Sequence, residues 1–160
     1  RNRELMLERI KEIFSEMTHC DFGEILNIHH NYAALETHFG KKVWIHRKGA
    51  TSARDEEWGI IPGSQGTASF LIQGKGNPES FQSCSHGAGR RMSRHQARQR
   101  LDLKEEREKL DAQGILHSIR SARDLDEASS AYKDIDTVMA QQTDLVDIKI
   151  KLKPLAVVKG

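Results

Sequence analysis

Cysteine is scarce in this chain: Cys20 and Cys84 are the only two among 160 residues. Two thiols cannot make the framework that staples small secreted domains. No apolar run approaches the roughly 20 residues that a membrane-spanning helix needs, and no signal-peptide pattern opens the sequence. Neither sign of charge dominates, since 25 Lys+Arg face 23 Asp+Glu for a formal net charge of +2. With 30% charged and 37% hydrophobic residues, that balance excludes a disordered polyelectrolyte. Internal repeats and low-complexity linkers are absent too. What is there is enough chain to bury one real core. The default expectation is a soluble cytoplasmic protein without a membrane partner. Nucleic acid fits the near-neutral total only where basic residues cluster locally.

The segment Glu4–Met17 sets Met6, Ile10, Ile13, Phe14 and Met17 on one helical face. Position 1 is Arg and this pattern is already running by Glu4, so the chain is expected to begin inside a longer protein. The stretch Ile28–His38 reads as a shorter helix ended by Gly40. Lys42–Arg47 and Ala68–Ile72 read as strands, the second closed by Gly74, Gly76 and Pro78. From Gly89 to about Ala112 the chain has no Pro or interior Gly and is rich in Arg, Lys, Gln and Glu, which predicts one long exposed helix. Ile135–Ala140 predicts another short helix. Val146, Ile148, Ile150 and Leu152 alternate with charged residues, the period of a half-buried strand with one wet face. The apolar Leu155–Val158 predicts a tied-down terminus. Together these elements make an α+β domain, or part of one.

Chemistry concentrates in Ser83-Cys84-Ser85-His86-Gly87-Ala88-Gly89-Arg90. The small residues around His86 admit close approach, and glycines permit the dihedrals of a phosphate-cradling nest. A helix starting near Gly89 would aim its N–H groups at an anion beside His86. Arg90, Arg94 and Arg98 then recur every four residues as a cationic stripe. Ser80 through Leu101 holds five Arg and no carboxylate. These residues leave open a plain turn histidine followed by a solvated Arg face. The fingerprint GxGxxG fails after Gly89, and no GxxxxGK[ST] occurs, which excludes a conventional P-loop.

A second constellation, Pro62 through Ser69, offers two Gly and three hydroxyls between strand-like segments. It suits a loop that donates to phosphate or a base, and equally an ordinary polar turn. His29 and His30 precede Asn31, but neighbours on a helix point about 100° apart and cannot share one ion. Neither HExxH nor a CxxC pair is present, so spacing does little to mark His30 as a metal ligand. His46-Arg47-Lys48 ends a strand and could meet phosphate, or simply be a wet strand end. His19, His38, His95 and His117 read as surface or helix-end residues. Cys84 reads as a small buried thiol, with no base partner to make it a nucleophile.

Taken in order, HHNYAALETHFG, VWIHRKGAT, IPGSQGTAS, SCSHGAGRRMSR, AYKDI and PLAVVKG resemble the motifs of RtcB-type RNA-splicing ligases. They span positions from about 24 to 160. The resemblance implies an α+β fold, a mixed sheet with flanking helices, within a larger single catalytic domain. On this reading residues 1–160 are the C-terminal portion of such a ligase, a bit under half. The family joins RNA ends bearing a 3′-phosphate or 2′,3′-cyclic phosphate to 5′-hydroxyl ends. It uses GTP and Mn(II) and passes through a covalent histidine–GMP intermediate.

Carried onto this sequence, the resemblance makes His86 the guanylylated histidine. An imidazole with a pKa of about 6.5 is a neutral nucleophile at neutral pH. It makes His30 the Mn(II) ligand, bordering GMP together with Asn31. Pro62, Gly63, Ser64, Gln65 and Ser69 match the nucleotide-contacting loop, as do Gly87, Ala88 and Gly89. Tyr132 and Lys159 resemble residues of the guanine pocket. Arg90, Arg94 and Arg98 would hold RNA phosphates without reading sequence. Two positions depart from the family. Gln65 stands where Met is usual, and Glu127-Ala128-Ser129-Ser130 replaces EAPx. The family's other metal ligands and its guanine-reading Glu fall upstream of Arg1. Two other readings stay in play: a non-catalytic RNA- or guanine-nucleotide-binding module, and a structural domain with no site.

Overall fold

In the computed structural model, which describes residues 2–29 and 31–158, the chain opens with helix α1 (Asn2–Thr18). Its apolar residues have the expected helical spacing, yet none is buried, and Met6, Ile10, Ile13, Phe14 and Met17 all face solvent. The Arg3 guanidinium holds the helix to the following segment by donating to the Ile28 carbonyl at 2.8 Å.

The segment expected to be a second helix is a strand. β1 (Asn31–His38) pairs antiparallel with β2 (Lys41–Lys48). Phe39 and Gly40 join them with φ of 51° and 73°, and two positive φ values match a hairpin turn to the strands' twist. Tyr32, Ala34, Glu36 and His38 share the less exposed face. Ala-Ala-Leu-Glu favours helix locally, but cross-strand pairing overrides so weak a preference.

The remaining strands are β3 (Ala50–Ser52), β4 (Trp58–Ile61), β5 (Ser69–Gly74), β6 (Ser83–Ser85), β7 (Leu116–His117), β8 (Val146–Leu152) and β9 (Ala156–Val157). β3 pairs with β6, and β5 lies between β4 and β8, all antiparallel. β7 and β9 run parallel, which ties Ala156–Val157 to the middle of the chain as expected, while the apolar Leu155 and Val158 on either side stay exposed. The α+β class is observed, and among the described residues the strands form four small sheets rather than one mixed sheet. β8 has the expected alternation, but Ile148, Ile150 and Leu152 are exposed rather than half-buried.

The long helix expected from Gly89 to Ala112 is two helices preceded by a loop. Gly89 has a φ of 75° and Arg90 bridges to Tyr132, so neither is helical. α2 (Arg94–Arg100) starts at Ser93, whose hydroxyl accepts the Gln96 N–H while Gln96 reaches back in a capping box. α3 (Leu103–Ala112) starts at Asp102, which accepts the Glu105 N–H. Each cap satisfies donors that a continuous helix would have spent internally, and that competition breaks the helix. The short α4 (Ile135–Ala140) lies where expected.

Two apolar clusters hold these elements. One joins Ala53, Ile61, Phe70, Ile72 and Cys84 to Ile135, Met139 and Val146. The other packs Leu110, Ile115 and Ile119 against Leu125 and Ala128. The first anchors the loop after β4 and the strand that ends at Ser85. The second anchors the 3₁₀ segment Ala122–Glu127.

Candidate functional site

Between the two clusters lies a cleft of about 460 Å³, a size that suits a small-molecule ligand. One wall is the loop leaving β4, with Pro62, Gly63, Ser64 and Gln65. The loop is held by its own hydroxyls: Ser69 Oγ accepts the Gly63 N–H at 2.9 Å and Thr67 Oγ1 accepts the Ser64 N–H at 2.7 Å. A Cβ on Gly63 would collide with the backbone carbonyls of Thr67 and Ala68, so only glycine allows so tight a return. Gln65 stitches this loop to the second cluster. Its N–H donates to the Glu127 carbonyl at 3.2 Å and its Nε2 to the Asp124 carbonyl at 3.1 Å.

The facing wall is His86, Gly87, Ala88 and Gly89, with Gly49 beside them. The His86 N–H donates to the Gly49 carbonyl at 3.3 Å. Gly89 has no atom within 4 Å of where a Cβ would stand, so the turn leaves open space beside the imidazole's segment. The strand before it is braced. Arg47, read from the sequence as a phosphate contact or a wet strand end, is 1% exposed and is neither. It donates to Ser83 Oγ at 2.9 Å, to the Phe81 carbonyl at 3.0 Å and to both oxygens of Glu36. That buried pair exists because the first hairpin is β, not helix. His38, also expected at the surface, is buried 2.9 Å from Glu36, and the buried His117 side chain lies 3.1 Å from Asp111.

The cleft closes with Arg90, Glu127 and Tyr132. The Tyr132 hydroxyl donates to Glu127, and Arg90 donates to both Glu127 Oε2 at 3.1 Å and the Tyr132 oxygen at 2.7 Å. The guanidinium also sits 4.8 Å from the Tyr132 ring centroid. Burial, then the Glu127 carboxylate, push the Tyr132 phenol up. Arg94 donates to Glu127 Oε1 at 3.0 Å and Arg98 to Asp126 Oδ2 at 3.1 Å. The three arginines therefore do not form one stripe on one helix. Arg90 precedes α2, and all three turn toward carboxylates or carbonyls of the 122–127 segment. The helix end expected near Gly89 is absent, because α2 begins at Arg94.

Of the residues singled out from the sequence, the cleft gathers Pro62, Gly63, Ser64, Gln65, His86, Gly87, Ala88, Gly89, Arg90 and Tyr132. Ser69 shapes the loop from within. Asn31 does not line the cleft. It begins β1, with Oδ1 3.3 Å from His46 Nε2. His30 and Lys159 lie outside the described residues. Sequence reasoning missed Glu127 and Gly49 as wall residues. Glu127, five positions before Tyr132, is the carboxylate that an arginine-rich segment without acids had to find elsewhere.

A family model described as tRNA-splicing ligase RtcB matches residues 1–160. The chain is 42% identical to the RNA-splicing ligase RtcB of Escherichia coli strain K12 over 166 residues, covering 99% of this chain and 40% of that protein. It is 47% identical over 137 residues to RNA-splicing ligase RtcB1 of another Escherichia coli strain, covering 86% of this chain and 33% of the relative. Against the tRNA-splicing ligase RtcB of Methanopyrus kandleri the identity is 33%, with 99% and 19% covered. The chain thus spans two fifths or less of the length of these relatives.

Proposed function

The chain belongs to the tRNA-splicing ligase RtcB family, and from that premise we propose that it is part of a GTP- and Mn(II)-dependent RNA ligase in which His86 carries GMP. The substrates would be RNA ends with a 3′-phosphate or 2′,3′-cyclic phosphate and RNA ends with a 5′-hydroxyl. The observation that carries this reading is the convergence of the Pro62–Gln65 loop, the His86–Gly89 turn and the Arg90–Glu127–Tyr132 group on one cleft.

In the proposed first step a neutral ring nitrogen of His86 attacks the α-phosphorus of GTP. The N–P bond forms as the bond to the bridging oxygen breaks, and pyrophosphate leaves with the electron pair. The Ser64 hydroxyl, with backbone N–H groups of the glycine-rich turn, supplies donors for phosphoryl oxygens. Arg90, at the rim, can stabilise the charge that develops there. Tyr132 offers an aromatic face to the base. The phosphoramidate is then a GMP donor toward the RNA end. Arg94 and Arg98 would hold RNA phosphates beside the cleft.

Mn(II) would act as a Lewis acid on phosphoryl oxygens. Among the described residues no three His, Cys, Asp or Glu side chains group to hold a metal ion. The described residues therefore do not build the Mn(II) site by themselves. The second reading is a non-catalytic RNA- or guanine-nucleotide-binding module. Radiolabelled GTP with Mn(II) separates the two, using the chain together with the remaining part of the family polypeptide added in trans, with and without His86→Ala. Covalent label lost in the variant supports the ligase reading. Nucleotide bound only reversibly supports the module.

A further inference from the structure

We propose that Gln142 is a positioning residue, fixing the backbone from which the His86 imidazole projects. The inference rests on the reading of His86 as the group that accepts GMP. On the C-terminal side of His86 the chain is permissive, because Gly87, Ala88 and Gly89 follow and Gly89 sits at a φ of 75°. On its N-terminal side the backbone of His86 is held through Ser85. In the β3–β6 ladder Ser85 stands opposite Ala50, and the His86 N–H reaches the Gly49 carbonyl. Neighbouring N–H groups of an antiparallel strand point to opposite edges. The Ser85 N–H thus faces away from β3, where among the described residues no further strand covers β6.

Gln142 takes the place of that strand. Its Oε1 accepts the Ser85 N–H at 3.0 Å and the Ser85 hydroxyl at 3.0 Å. The side chain is held in turn, with Nε2 donating to Met139 Sδ at 3.1 Å, and the residue is 4% exposed. The amide orientation is unambiguous, because a backbone N–H can only donate and the atom facing it must be the oxygen. Adjacent N–H groups are thus held on opposite edges, that of His86 by the Gly49 carbonyl and that of Ser85 by Gln142, so rotation about the bonds leading to His86 is restrained. Small displacements of a reacting group carry large rate penalties, which is what such a grip prevents.

The test needs neither GTP nor Mn(II), so its failure is distinct from failure of the ligase reading. Amide exchange at Ser85 is measured by NMR in the 160-residue chain, in Gln142→Leu and in Gln142→Glu, which keeps the acceptor. Modification of His86 by diethylpyrocarbonate is followed by mass spectrometry, with exposed His95 as internal reference. The expected result is Ser85 exchange at least tenfold faster in Gln142→Leu while Ile72 in β5 stays protected. The His86-to-His95 modification ratio should change at least threefold, and Gln142→Glu should restore both. Unchanged values in Gln142→Leu, or changes that Gln142→Glu does not reverse, overturn the proposal. If Gln142→Leu fails to fold, Ser85 protection in the unaltered chain decides. An unprotected Ser85 amide overturns it, and a protected one retained in Gln142→Glu supports it.

Discussion

Single side chains around the cleft differ in how far the sequence announced them. Cys84 was legible as a buried thiol. Burial, with a smaller push from Glu57, raises it to about 12, so it stays protonated and inert. Iodoacetamide at pH 8 should therefore alkylate exposed Cys20 and spare Cys84 in the folded chain, as peptide mapping would show. Equal labelling would contradict the packing described. Arg47 was not legible, because its partner Glu36 lies on a strand that reads locally as helix. The Arg47 guanidinium, hydrogen-bonded to Glu36, lowers that carboxyl to about 2 against an opposing push from burial. The folded value lies below the usual 4.5, so the stabilisation is present above pH 4.5 and is lost as pH falls toward 2. Urea midpoints should drop across that window, and Glu36→Gln should flatten the drop. That variant should also cost about 3–5 kcal/mol at neutral pH, by leaving Arg47 buried without its counter-charge.

Elements were readable where one periodicity stood alone. α1, α4, β2, β5 and β8 follow from the spacing of apolar residues and from their breakers. β1 and the break between α2 and α3 were not readable, because there local propensity pointed one way and a longer-range pairing or a cap won. The loop after β4 shows what periodicity cannot supply, since its shape depends on Gly63 approaching the Thr67 and Ala68 carbonyls. Two glycine replacements separate conformation from crowding. Gly40→Ala meets no atom within 4 Å and pays only for its φ of 73°, so it should cost about 1–2 kcal/mol and spare the cleft. Gly63→Ala has no room, so it should distort the loop and abolish nucleotide binding by calorimetry while far-UV circular dichroism is retained. On α2, Arg98→Ala should weaken RNA binding across unrelated sequences and lower the salt slope by about 1. Glu127→Gln should strengthen it, because Arg90 and Arg94 then lose their internal counter-charge. A changed sequence preference would point to base readout instead.

At the scale of the whole molecule the cleft belongs to neither apolar cluster alone. The β4–β5–β8 cluster carries His86 and the Pro62–Ser69 loop, and the Leu110–Leu125 cluster carries Glu127. Gln65 and Arg90 join the two across more than 25 residues of sequence each. The motif segments could be found singly in the sequence, but their convergence depends on pairings that no local pattern encodes. The central claim is that His86 in this cleft takes GMP, with metal ligands that the described residues do not complete. Its most direct test incubates the chain with labelled GTP and Mn(II), alone and with the remaining part of the family polypeptide added in trans, and maps the adduct by mass spectrometry. The account predicts GMP on His86 in the reconstituted sample and none on the chain alone. An adduct on any other residue, or labelling that persists in His86→Ala, would contradict it.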